Sequence, residues 1–177
     1  MGRQRSKRRH PTPCVKVPSL NDFWQEQIRA LGRRVFFVDT GGILKTLEAD
    51  EAFIDFFDSL VGDQLITSTY VLSEVVRRII KADHPNRFVG PAGERHSDLA
   101  VYVLTQWLET HNVKILCPPE EVFNAAKAVF AENRSIGCDL VDVLSYVIVK
   151  GFQQSRIVSS DAHFRKLGLA CFPTLLS

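Results

Sequence analysis

From Val35 onward, short apolar runs alternate with longer stretches of helical periodicity, and that alternation leaves few folds open to the chain. VFFV (Val35 to Val38) is apolar without a break, as expected of a strand covered on both faces. Gln64 to Thr67, Val113 to Leu116 and Arg156 to Ser160 read as three more strands, with Cys171 to Leu175 a short fifth. Helical stretches fall between them. One contains Phe53, Ile54, Phe56, Phe57 and Leu60 and stops at Gly62; others run from Thr69 to Lys81, Asp98 to His111, Pro118 to Asn133 and Leu140 to Phe152. The last is apolar nearly all round, which predicts burial on more than one side. Strands alternating with helices imply parallel pairing through right-handed crossovers. The predicted fold is α/β, a three-layer α/β/α sandwich with a mainly parallel sheet of four to five strands.

The rest of the chain divides by composition. Residues 1–18 mix basic residues with three prolines, which predicts disorder when free. Residues 19–34 carry Leu20, Phe23, Trp24, Ile28 and Leu31 at helical spacing, with Ser19 and Asp22 as a capping pair, so an amphipathic helix is expected ahead of a main domain at 35–177. Residues 1–34 hold nine Lys/Arg against two acids, and the remainder thirteen against eighteen, so a basic front precedes a mildly acidic body. The RSKRR run there could add nonspecific nucleic-acid affinity or act only as a solubilising tail. Cys14, Cys117, Cys138 and Cys171 are widely spaced with no CxxC pair, which argues against a zinc site and a disulfide framework and for a reducing cytoplasm. No run approaches the roughly 18 apolar residues that a membrane helix needs.

Four acids stand at punctuation points of this pattern. Asp39 ends VFFV, Asp161 follows the Arg156 to Ser160 strand, and Glu74 and Asp142 lie in the first turns of helices. Each has a local structural explanation. Asp39 before Gly41-Gly42 can make an Asx turn, Glu74 suits a helix dipole, and Asp161 suits a turn. Asp139 is placed to cap the helix holding Asp142, which accounts for Asp142 only in part. Taken together, all four fall at one edge of the predicted sheet, where open α/β sheets bind ligands. Carboxylates crowded in one crevice call for a cation. Oxygen ligands without a His or Cys partner point to Mg²⁺ or Mn²⁺ and not to zinc, and such an ion suits a phosphate-bearing substrate.

The segments FFVDTGGILKTL, TSTYVLSEVVRRI and SIGCDLVDVLSYVIVKGFQQSRIVSSDAHFRKLGL resemble the PIN-domain family of metal-dependent ribonucleases, most nearly its VapC-like toxin branch. The last segment is the most specific, with an acid near a helix start, an apolar helix, a strand and Ser159-Ser160-Asp161 followed by Phe164. The resemblance spans roughly residues 35 to 175. It implies a PIN-like fold and assigns Asp39, Glu74, Asp142 and Asp161 as catalytic, metal-holding residues, with Thr40 and Ser159 in support. It further implies RNA cleavage by metal-activated water leaving a 5′-phosphate and a 3′-hydroxyl, an antitoxin partner and a homodimer. Asp139 is left outside the quartet, as a helix cap.

An acidic centre that binds RNA needs cations around it. Arg77, Arg78, Arg134 and His163 are the candidate substrate contacts, with Lys81, Arg87 and Arg95 near the loop at 82–97. A solvated helix face explains Arg77 and Arg78 equally well. Three other readings compete with a toxin nuclease: a PIN nuclease of RNA processing or decay without an antitoxin, a noncatalytic RNA-binding module, and a phosphoaspartyl enzyme. The complete quartet counts against the second. Gly41, standing where a further acid would be wanted, counts against the third.

Overall fold

A computed structural model describes residues 34–81, 96–133, 137–152 and 156–174. The basic tail at 1–18, the helix expected at 19–34 except Arg34, most of the 82–97 loop, Arg134 and the end of the fifth strand at Leu175 lie outside the described residues.

Five strands, β1 (Val35–Val38), β2 (Gln64–Ser68), β3 (Lys114–Leu116), β4 (Arg156–Val158) and β5 (Ala170–Phe172), form one sheet in the order β3-β2-β1-β4-β5. Every pairing is parallel. The chain builds outward from β1 through β2 to β3, then returns to the other side of β1 for β4 and β5. The order therefore reverses between β1 and β4, and the carboxyl ends of those two strands flank a crevice. In register, Phe37 faces Ile157 and Val38 faces Val158, so the residues that follow, Asp39 and Ser159, emerge side by side. The sheet is the middle layer of the α/β/α sandwich that the strand–helix alternation predicts.

Seven helices are described: α1 (Thr40–Leu47), α2 (Glu51–Ser59), α3 (Thr69–Ile80), α4 (His96–Thr110), α5 (Glu120–Glu132), α6 (Leu140–Gly151) and α7 (Ala162–Lys166). Among the described residues, no helix is long and apolar enough to cross a membrane. In α6, Val143 through Val149 are buried without interruption, as its all-round apolarity predicts, and the helix packs on α5 and touches α3. All four residues of β1 are buried. Phe36 at the sheet's centre meets the rings of Phe56 and Phe172 edge-on, at 5.7 and 5.5 Å between centroids. At the amino end of β1, Arg34 donates two hydrogen bonds to Asp63, which ties the start of that strand to the turn before β2.

The helical stretch expected before Gly62 is helix α2, and a second helix, α1, precedes it where no separate helix is predicted. Ala49 takes φ 58°, a left-handed conformation that ends α1 and lets α2 start anew at Glu51. Helix α1 itself carries no strong apolar signal in its first turn, Thr-Gly-Gly. Those glycines serve close approach. A Cβ on Gly42 would stand 2.6 Å from the Val158 carbonyl oxygen, and one on Gly41 2.8 Å from Ser160 Oγ. The first turn of α1 thus presses on the end of β4, and only glycine at 42 lets backbone meet backbone. Alanine is ordinarily preferred in helices by about 1 kcal/mol. Gly42→Ala is nevertheless expected to destabilise the protein, by about 1–3 kcal/mol in urea unfolding, because overpacking against main chain has no cheap relief. Gly41→Ala, which meets a side chain able to rotate, is expected to cost less. Equal stability of Gly42→Ala and wild type would contradict this packing.

Candidate active site

Asp39 is one residue beyond β1. Its N–H donates to Val158 O at 3.0 Å, continuing the β1–β4 contact, and its side chain caps α1 by accepting from the Gly41 N–H at 3.3 Å. Ser159 Oγ donates to Asp39 Oδ2 at 3.1 Å and Ser145 Oγ to Oδ1 at 3.4 Å. The carboxyl group is only 2% exposed. Burial, reinforced by the negative charge of Asp142, pushes its pKa up to about 7, although hydrogen bonds from the Gly41 and Thr40 backbone and from Ser159 oppose the shift.

Ser159, itself buried, joins Asp39 to the next acid. While its hydroxyl donates to Asp39, its oxygen accepts from the Asp161 N–H at 3.0 Å. Asp161 caps α7 by accepting from the His163 N–H at 2.7 Å. Its Oδ1 also lies 3.0 Å from His163 Nδ1, but the alignment falls short of a hydrogen bond.

Asp139 caps α6 as its position predicts, but the cap is reciprocal. Asp142 N–H donates to Asp139 Oδ1 at 2.9 Å, and Asp139 N–H donates to Asp142 Oδ2 at 3.0 Å. The structural role of Asp142 is therefore larger than its sequence position suggests. Its pKa is nonetheless pushed up to about 6, first by burial and then by the charges of Asp139, Asp161 and Glu74, against the pull of the Asp139 N–H.

Glu74 reaches the centre from α3 and is buried; Thr40 Oγ1 donates to its Oε2 at 3.3 Å. Among the described residues it alone of the four has a close guanidinium partner, with Arg78 Nε at 2.7 Å and Nη2 at 2.6 Å from Oε1. Burial works against the Arg78 charge, yet the Glu74 hydrogen bond and charge, with Asp139 and Asp39 beyond, hold its pKa above the ordinary value.

The four sequence-predicted acids thus gather around the β1/β4 crevice, where Thr40 bonds Glu74 and Ser159 bonds both Asp39 and Asp161. Arg77 and Arg78 are both exposed, with Nη2 atoms 3.8 and 2.6 Å from Glu74 Oε1. Arg77, Arg78, Lys45 and Lys81 line a groove of about 380 Å³, together with Gly41, Leu44, Glu48 and Ser160. Sequence spacing puts Ser145 on the helix face of Asp142 without marking its bond to Asp39, and nothing in the sequence marks Lys45. Ser145 lies at four-residue spacing from Val141 and three from Asp142, on the helix face that meets Asp39; Lys45 follows Gly41 by one helical turn. The expectation that the acids have no softer donor beside them does not hold. Sγ of Cys138, a carboxylate oxygen of Asp142 and a ring nitrogen of His163 all lie within 4.8 Å of one another.

The donor set fits a hard divalent ion. Asp39 is pushed toward neutrality by burial and the charge of Asp142, and half-buried Asp142 by burial and the charges of Asp139, Asp161 and Glu74, a strain that a cation relieves. This has a sign that can be tested. In the metal-free protein both folded pKa values exceed the unfolded ones, so the folded state binds more protons and its stability falls as pH rises from about 4 through 7. Thermal melts of chelator-treated protein are expected to show a melting temperature that drops between pH 5 and 8 on the order of several degrees. Asp39→Asn is expected to flatten the slope. Melting temperatures that climb over that window would contradict the assignment.

The PIN domain family profile matches residues 36–169. A search of curated protein sequences finds no match. Among solved structures, the chain is similar to the Mycobacterium tuberculosis VapC20 toxin, described as cleaving the sarcin–ricin loop. The TM-score is 0.59 at 17% identity, over 76% of this chain and 96% of that one, a likeness of fold. With the family profile spanning most of its length, this chain belongs to the PIN domain family.

Proposed function

We propose that the protein is an endoribonuclease dependent on Mg²⁺ or Mn²⁺, with Asp39, Glu74, Asp142 and Asp161 holding the ion. The observation that carries this reading is the uncompensated carboxylate pair, Asp39 and Asp142, at the switch point of a PIN-family sheet beside a groove lined by four cations. A bound ion of this class supplies Lewis acidity toward a phosphoryl oxygen and acidifies water. The chain's own contribution is position. Ser159 and Ser145 fix the two oxygens of Asp39, Ser159 sets the Asp161 backbone, and the α6 cap fixes one oxygen of Asp142. Arg78 offsets the charge of Glu74, leaving net negative charge concentrated on the three aspartates. The groove bearing Lys45, Arg77 and Lys81 gives the RNA backbone a cationic track that ends at Gly41 and Ser160, next to Asp39 and Asp161.

The fold likeness to a toxin supports the finer reading, that this nuclease is the toxin of a toxin–antitoxin pair acting as a homodimer in the cytoplasm. The sarcin–ricin loop is the target of that relative, and the RNA cut by this chain is to be found by mapping product ends.

Purified protein incubated with RNA and Mn²⁺ is expected to cut it, leaving 5′-phosphates, and chelator is expected to stop it. Asp39→Asn and Asp142→Asn should each lower kcat/KM by about 10²–10³-fold, the worth of several kcal/mol of charge stabilisation. Ser159→Ala, which leaves the acids in place but frees their orientation, should cost about 10–100-fold. Cleavage that survives both acid substitutions would sink the proposal. Arg77→Ala with Lys81→Ala is expected to raise KM more than it lowers kcat. Its salt dependence of binding should be shallower by about 0.7 per lost phosphate contact, and an unchanged slope would remove the groove from substrate binding.

A further inference from the structure

Cys138, Asp142 and His163 bring a thiol, a carboxylate and an imidazole together from two separate elements, their donor atoms all within 4.8 Å of one another. Gly137, at φ 81°, turns the chain into Cys138, and a Cβ on it would lie 3.8 Å from His163 Nε2, so that nitrogen faces the Cys138 segment. The other ring nitrogen, Nδ1, lies 3.0 Å from Asp161 Oδ1 without being hydrogen-bonded to it, which leaves Nε2 as the nitrogen turned toward Cys138. Ligands about 2.0–2.3 Å from a tetrahedral ion stand about 3.3–3.8 Å apart, so side-chain rotation of about 1 Å closes the triad. Three protein ligands leave a fourth position for water.

We propose that Cys138, Asp142 and His163 form a site for a thiophilic divalent cation of the Zn²⁺ class, and that its occupation silences the acidic centre. Sulfur and imidazole donors select Zn²⁺ over Mg²⁺, whose ligands are oxygens. The two sites exclude each other for a structural reason. One oxygen of Asp142 is committed to the α6 cap, so both ions must draw on the other, and the charge of the first opposes the second. His163 also stands beside Asp161, its Nδ1 3.0 Å from Oδ1, so an ion held there puts positive charge next to a second acid. Burial and the nearby charges of Asp142, Asp161 and Asp139 keep the Cys138 thiol protonated in the absence of a cation, with its pKa up to about 11, and coordination releases that proton. The binding half of this inference stands by itself; the silencing half rests on the proposed nuclease activity.

Cobalt(II), a coloured substitute for Zn²⁺, separates the two. Titrated into the chelator-stripped full chain, it is expected to give a thiolate-to-cobalt absorption band that added Zn²⁺ bleaches. Cys138→Ser should abolish the band, whereas Cys14→Ser, Cys117→Ser and Cys171→Ser should keep it. His163→Gln, which removes a ligand from a different element, should weaken cobalt binding about tenfold or more. No band in wild type, or a band that persists in Cys138→Ser, would overturn the site. With Mn²⁺ present, Zn²⁺ should inhibit wild-type RNA cleavage, and Cys138→Ser should cleave at the wild-type rate but need about tenfold more Zn²⁺ for equal inhibition. Equal inhibition of both proteins would overturn the silencing. Absence of cleavage in every protein would instead sink the nuclease reading and leave the cobalt result to decide the site.

Discussion

Everything at the centre of this protein is arranged around one carboxyl group that is expensive to bury. Asp39 ends the innermost strand, where both faces of the sheet are covered and water is excluded. A charged group there costs several kcal/mol unless hydrogen bonds or an opposite charge offset it. The chain supplies the hydrogen bonds: Gly41 N–H, Ser159 Oγ and Ser145 Oγ come from α1, the end of β4 and α6. Three pieces far apart in sequence are thereby tied to one residue. They do not supply a positive charge, and Asp142 adds a negative one.

The neighbouring acids show how the cationic partners are distributed. Glu74 has its own guanidinium from Arg78, and its burial is explained without any ligand. Asp142 and Asp161 close helix ends, so each has a folding role as well. What folding leaves unexplained is the concentration of charge, and Asp39 and Asp142 carry its mark as raised pKa values. The Gly41-Gly42 pair belongs to the same arrangement. By letting α1 touch the end of β4, it closes the space between Asp39 and Ser159 to hydrogen-bonding distance.

Much of this is legible in the sequence because its signals are local. Unbroken apolar runs give the strands, and the acid after each run gives the crevice. The apolar helix holding Asp142 announces its own burial. Signals that depend on partners distant in the chain are not legible. Nothing in Ala49 marks the break between α1 and α2, since alanine favours helix and seldom takes the left-handed φ it has here. Nor does sequence spacing place His163 against Cys138, because the two meet only after β4 returns beside β1. The absence of a CxxC pair correctly reports no local metal motif, but it is blind to a triad assembled from α6 and α7. The cap by Asp139 is legible from its place at the helix start, whereas the return bond that its N–H donates to Asp142 Oδ2 is not.

The central claim is that these carboxyls are poised for a divalent ion that displaces protons. Calorimetric titration of Mn²⁺ into chelator-stripped protein, repeated in buffers of different ionisation enthalpy, counts those protons directly. Near pH 6.5 the account predicts net proton release on binding, disappearing by about pH 9 and sharply reduced in Asp39→Asn, with Cys138→Ser as background to remove any thiol contribution. Binding without proton release at pH 6.5, or release unchanged by Asp39→Asn, would contradict it.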